Sequence, residues 1–156
     1  YRNYNMMNIN EIKNHLNNKS RLIGVDMGSK RVGLSISDEN RKIATPLKTL
    51  NYENIQILIS ELEKIANENN VHGIIFGNPI NMDGTEGSSS QSVKDKVKLI
   101  SEKIKIPIFL WDERLSTVGA FNLSSQLDIN VTKRVKNIDE NAAAFILQGV
   151  LDFLNN

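Results

Sequence analysis

A chain of 156 residues holds one domain, burying about 70% of its unfolded surface, and leaves little room for a two-domain enzyme. With 40% hydrophobic and 24% charged residues it is not a disordered chain, and no apolar run approaches the roughly 20 residues of a membrane span. Absent cysteine excludes disulfides, thiolate metal sites and cysteine nucleophiles, and a net charge of +1 means that a polyanion must be held by a local patch.

Residues 1–20 are dense in Asn and thin in apolar residues. Ile9, Ile12 and Leu16 have helical spacing, so this stretch reads as an N-terminal extension, poorly structured or carrying a short helix, ahead of a domain over 21–156. The chain opens on Tyr1; a cytoplasmic location is expected, or an organelle if the extension is the remnant of a targeting segment.

From Leu22 an apolar run leads to Asp26, followed by a turn at Met27–Lys30. Arg31 to Ser37 alternates Val32, Leu34 and Ile36 with small or polar residues, the period of a half-buried strand. Ala44 to Leu50 reads as a third strand, placed at an edge by Pro46. Three strands on short turns make an antiparallel meander. The period then changes to 3.6: Ile55, Leu58, Ile59, Leu62, Ile65 and Ala66 form one helical stripe. Val71 to Gly77 has the continuous apolar run of a central parallel strand. A loop rich in Gly, Asn and Ser spans 78–90, and a lysine-studded helix turns Val93, Val97, Leu99, Ile100 and Ile104 inward. Pro107 to Trp111 is a further strand, 118–127 a short helix, 128–138 a basic cluster and 139–154 the closing helix. The order predicts an α/β fold: a mixed five-stranded sheet, meander plus parallel strands, with helices on both faces.

Most of the acids lie on polar helix faces or in turns, and three places differ. Asp26 ends the first apolar strand, where a turn-initiating Asp is the plain alternative. Asp112 and Glu113 end the run Ile108–Trp111, at the carboxyl end where α/β sites gather. Asp139 opens the last helix, where it could serve as an N-cap, yet it heads the stripe Ala143, Ile146, Val150 and Phe153 that must face the sheet. Carboxylates converging from a central strand, a neighbouring strand end and the last helix, without Cys or His, favour hard cations such as Mg²⁺ or Mn²⁺ over zinc. Such a site suits phosphodiester cleavage.

These residues carry a resemblance. The run Gly24–Asp38, the run Gly77–Gly87, Asp112–Thr117 and Ile138–Gln148 resemble, in order, the motifs of the YqgF/RuvX family and together cover residues 21–154. The resemblance implies a ribonuclease H-like fold and a nuclease, acting on Holliday junction-like DNA or at the 5′ end of precursor 16S rRNA. It carries metal-binding and catalytic roles to Asp26, to one of Asp112 and Glu113, and to Asp139. Glu113 is favoured. Alternation puts Phe109, Trp111 and Glu113 on one face and Leu110 and Asp112 on the other. Asn78 stands where many relatives are apolar, and Ser88–Ser90 replaces a more basic stretch.

Substrate contact is expected from Lys30 and Arg31 on the turn after Asp26, and from Lys133, Arg134 and Lys136 before Asp139, with solvated surface as the alternative. Arg114 is expected to pair with Asp112 or Asp139, or to reach a phosphate. Trp111 reads as core rather than a base-stacking platform. The partner is nucleic acid and not membrane; monomer and homodimer stay open. Two other functions compete. An actin- or hexokinase-type nucleotide site fits Asp26–Gly28 but needs two domains. A catalytically weak nucleic-acid-binding module for ribosome assembly fits the same fold.

Overall fold

The computed structural model describes residues 6–7, 9–79, 83–113 and 138–156. Its strands are β1 (Met6–Met7), β2 (Arg21–Met27), β3 (Arg31–Ser37), β4 (Ala44–Asn51), β5 (Val71–Asn78) and β6 (Ile108–Asp112). Its α-helices are α1 (Ile55–Asn69), α2 (Ser88–Ser101) and α3 (Ile138–Leu154), and Ile9–His15 forms a 3-10 helix. The expected helix over 118–127 lies outside the described residues.

The sheet runs β1-β6-β5-β2-β3-β4. The five expected strands are all present, and Met6–Met7 adds a short parallel sixth beside β6. β2 and β5 pair in parallel at the centre, and β3 and β4 continue as the antiparallel meander. β4 is an exposed edge, as Pro46 demands.

Helices cover both faces. On one, the stripes Leu58, Leu62 of α1 and Val97, Ile100 of α2 bury Ile23, Val25, Leu34, Ile74 and Phe76. α1 is capped at its start by the Asn54 side chain, which accepts from the Ile57 amide at 3.2 Å, and at its end by Asn70 in the left-handed region. Leu99, expected inward, is 49% exposed. It falls off the stripe that Val93, Val97 and Ile100 define at spacings of four and three.

On the other face, Ile146, Leu147, Val150 and Leu151 of α3 pack with Ile12 on Leu22, Ile75, Phe109 and Trp111. Phe153, expected on the stripe, is 41% exposed; its ring meets that of Trp111 at 5.8 Å. Trp111 is core. β3 departs from the half-buried strand its alternation suggested. Ser35 and Ser37 are buried, and Gly33 lies directly under α3. The small residues mark the face a helix approaches closely, not a wet one. Ser35 Oγ fastens that approach by donating to the Ala143 carbonyl at 2.8 Å. Further along α3, Gln148 ties it to the start of β4 and the turn before it: its Oε1 accepts from the Ala44 amide at 2.9 Å and its Nε2 donates to the Lys42 carbonyl at 3.0 Å.

Candidate active site

The first turn of α3 lies against the start of β3 and beside the carboxyl end of β2, and the carboxyl ends of β5 and β6 adjoin it on the same face of the sheet. Along β2 the side chains alternate, so Leu22, Gly24 and Asp26 face α3 while Ile23 and Val25 face α1 and α2. Asp26 is paired in register with Gly33 of β3, and Val25, one residue earlier, with Phe76 of β5. Asp26 is therefore flanked by two glycines, Gly33 on one side and Gly77 on the other.

Both glycines leave room that a neighbour fills: the backbone of Asp139 at Gly33, and the side chains of Ile146 and Glu113 at Gly77. A Cβ on Gly33 would lie 1.8 Å from the backbone oxygen of Asp139. A Cβ on Gly77 would lie 2.9 Å from Glu113 Cγ and 3.0 Å from its Cδ. The Glu113 amide extends the parallel pairing of β5 and β6 by donating to the Asn78 carbonyl at 3.1 Å. Of the Asp112–Glu113 pair, it is thus Glu113 that lies over Gly77 on the face of Asp26. α3 begins at Ile138, so Asp139 sits inside the first turn, where a carboxylate also interacts well with the helix dipole.

The electrostatics follow from this crowding. Burial, and then the charge of Asp139, push Asp26 up to about 6. Burial, and then the charges of Asp26 and Asp112, push Glu113 up to about 7. The three acids are coupled through charge: Asp26 senses Asp139, and Glu113 senses Asp26. Among the described residues no three His, Asp or Glu side chains are gathered tightly enough to hold an ion unaided. The donor set fits a hard dication even so. It is all carboxylate oxygen, half-buried, and carries repulsion that positive charge relieves, and such ions commonly complete their shell with water and substrate oxygens.

The basic residues divide. Arg31 opens β3 and pairs with Asp139, Nε to Oδ2 at 3.1 Å, the partnership that sequence reasoning gave to Arg114 as one option. Lys30 is exposed on the preceding turn. That turn is braced: the Gly28 amide donates to the Arg31 carbonyl at 2.9 Å and the Tyr52 hydroxyl to the Gly28 carbonyl at 3.1 Å. Arg114, Lys133, Arg134 and Lys136 lie outside the described residues. A polar clasp closes the far side of β5. Buried Ser90 donates to Asn78 Oδ1 at 2.6 Å, and Glu86 beside it pairs with Lys94. The buried Asn78 side chain is therefore satisfied by a hydrogen bond.

A family model described as RuvX, Holliday junction resolvase, matches residues 20–153. The chain belongs to the RuvX family. A protein of Pelagibacter ubique named "Putative pre-16S rRNA nuclease" is 62% identical over 97% of this chain and 100% of its own length. One of the same name from Rhodobacter capsulatus is 41% identical over 85% of this chain and 84% of its own. Among solved structures, Thermus thermophilus RuvC in complex with a Holliday junction substrate superposes with a TM-score of 0.57 at 10% identity, over 88% of this chain and 96% of that one. The yeast mitochondrial resolvase Ydc2 gives 0.51 at 14% identity, over 94% and 84%. These structural likenesses show the fold: this RuvX-family chain is ribonuclease H-like. No helix among its described residues is long and apolar enough to cross a membrane.

Proposed function

We propose that this RuvX-family chain is a metal-dependent nuclease that hydrolyses phosphodiester bonds in structured nucleic acid. Its substrate is precursor 16S rRNA, the one in the names of its relatives at 62% and 41% identity, cut at the 5′ end, and its place of action is the cytoplasm. The observation that carries the reading is the charge crowding of Asp26, Glu113 and Asp139 around two glycines at one strand end. Asp26, Glu113 and Asp139 would hold Mg²⁺ or Mn²⁺, which, when bound, supplies an activated water and neutralises charge on the attacked phosphate. Asp26 projects from a central, fully paired strand, so its position is fixed by the sheet. Glu113 lies on the shelf that Gly77 leaves, and α3 delivers Asp139 from above. Lys30 and Arg31 supply positive charge beside the acids.

Because the dication binds the folded state, millimolar Mg²⁺ or Mn²⁺ is expected to stabilise the fold. At tenfold over the dissociation constant the gain is about 1.4 kcal/mol, or about 3–6 °C in Tm for a chain of this size. Cleavage of precursor 16S rRNA or of a four-way DNA junction is expected with the metal and lost with chelator. Neither thermal shift nor cleavage on adding metal would refute the assignment. Binding that persists with metal, without cleavage of either substrate, would mark the binding-module alternative.

Net charge of +1 makes affinity depend on local basic residues. Lys133 and Arg134 precede Asp139 in the chain and are assigned to the phosphate track. Lys133→Ala with Arg134→Ala is expected to weaken binding, to leave Tm unchanged, and to reduce the slope of log K against log salt by about 2, one per lost contact. The control pair Lys96→Ala with Lys103→Ala lies on and just after α2, which packs on the other face of the sheet, and is expected to change little. If the control weakens binding more than the Lys133 and Arg134 pair, the nucleic-acid track lies on the α2 side.

A further inference from the structure

We propose that Arg31 is a displaceable counter-ion of Asp139, holding the carboxylate while the cation is absent and competing with that cation for it. This rests on the metal reading above and adds to it a residue that works against metal binding. Arg31 stands at the start of β3, two residues before Gly33, so alternation sends its side chain to the α3 face. There its Nε meets Asp139 Oδ2 at 3.1 Å, in the part of the site where Asp139 would face a dication.

The pair is asymmetric. The Arg31 side chain is 62% exposed and that of Asp139 only 25%. The backbone under Arg31 is fixed by the Gly28 and Tyr52 hydrogen bonds, whereas the guanidinium stands mostly in water. An ion pair this exposed is weak and opens at small cost. A dication concentrates twice the charge at the same oxygens and also relieves the repulsion between Asp139 and Asp26, which one guanidinium at the rim does not remove. The guanidinium is therefore the partner that yields. Once released it remains beside the site with a donor fork that matches a phosphate oxygen pair.

The opposite role gives the opposite sign. A fixed partner that orients Asp139 for the metal would make Arg31 help metal binding; a competitor makes it hinder. Mn²⁺ titration followed by thermal shift separates them on the full chain. Arg31→Gln is expected to lower the half-saturating Mn²⁺ concentration about two- to five-fold, the range of an exposed ion pair. Arg31→Lys, which keeps the charge, is expected to retain the wild-type requirement. Unchanged or weaker Mn²⁺ binding by Arg31→Gln overturns the proposal, as does equal tightening in Arg31→Lys. Asp139→Asn tests the underlying reading separately. If the wild type shows no Mn²⁺ stabilisation, or if Asp139→Asn keeps all of it, the metal site itself is misplaced, whatever Arg31 does.

Discussion

Asp26→Asn is expected to abolish cleavage on the order of 10³-fold or more while raising stability at neutral pH. The amide is nearly isosteric, so the strand and its pairing with Gly33 persist. What disappears is the charge that would hold the cation, and that charge stabilisation is worth several kcal/mol in the transition state. Stability moves the other way. Asp26 has a folded value of about 6 against an ordinary 3.8, because burial and the charge of Asp139 disfavour ionisation. Between those values folded Asp26 holds more protons than unfolded Asp26, so its contribution to stability is greatest in acid and falls as pH rises from about 4 to about 7. By pH 7 the loss is on the order of 2–3 kcal/mol. The Asn variant escapes it and is expected to melt about 5 °C above the metal-free wild type at pH 8, with the two converging near pH 4. Glu113, raised from 4.5 to about 7 by burial and then by the charges of Asp26 and Asp112, adds an overlapping fall that extends to higher pH in the wild type and is smaller in the Asn variant, where the Asp26 charge is gone. Thermal melts across pH without metal, beside cleavage assays with it, check both halves. Wild-type cleavage by Asp26→Asn would remove Asp26 from the site.

Much of this arrangement is legible in the sequence where one period or one residue type decides the outcome. The stripe Leu58, Ile59, Leu62, Ile65 and Ala66 is a helix face because no strand buries that spacing. Pro46 marks the edge strand because it has no amide to donate. Asp26 is visible as an acid ending an apolar run. The parts that are not legible depend on what lies opposite. Gly33, Ser35 and Ser37 alternate with large apolar residues just as a wet strand face would, and it is the close approach of α3 that turns Gly33 and Ser35 into buried contact. The usable signal is their size: all three are small, and a solvated face has no reason to exclude Lys or Glu. Ile12 is buried although its surroundings are polar in sequence, because the apolar surface it covers belongs to β5 and β6, far along the chain. Arg31 reads as a free turn cation until α3 sets Asp139 beside it.

Gly33→Ala is expected to destabilise the fold by about 3 kcal/mol and to depress cleavage about 10²-fold. Glycine is needed here for space. The new methyl would overlap the Asp139 carbonyl oxygen at 1.8 Å, its carbon at 2.2 Å and the Glu140 nitrogen at 2.9 Å. All three are backbone atoms, so no side chain can swing aside, and overpacking of this kind costs about 1–3 kcal/mol or more. The sheet is held on both sides of Gly33 by Asp26 and Thr49, so the helix is the element that moves. Ser35 and Gln148 tether α3 further along, and the shift is concentrated at the first turn that carries Asp139. A displacement of about 1 Å at a positioned group is enough for a 10²-fold loss. Gly73→Ala separates displacement of the site from loss of stability. Gly73 lies on the same face at the other end of β5, where a Cβ meets the tip of Leu22 at 2.7 Å and the Phe109 ring at 3.3 Å. It is expected to lower Tm while leaving the cleavage rate of the folded fraction and the Mn²⁺ requirement at wild-type values. Gly33→Ala is expected to raise the Mn²⁺ requirement as well. If the two variants lose cleavage only in proportion to stability, the close contact between β3 and α3 serves packing alone and Asp139 does not depend on it.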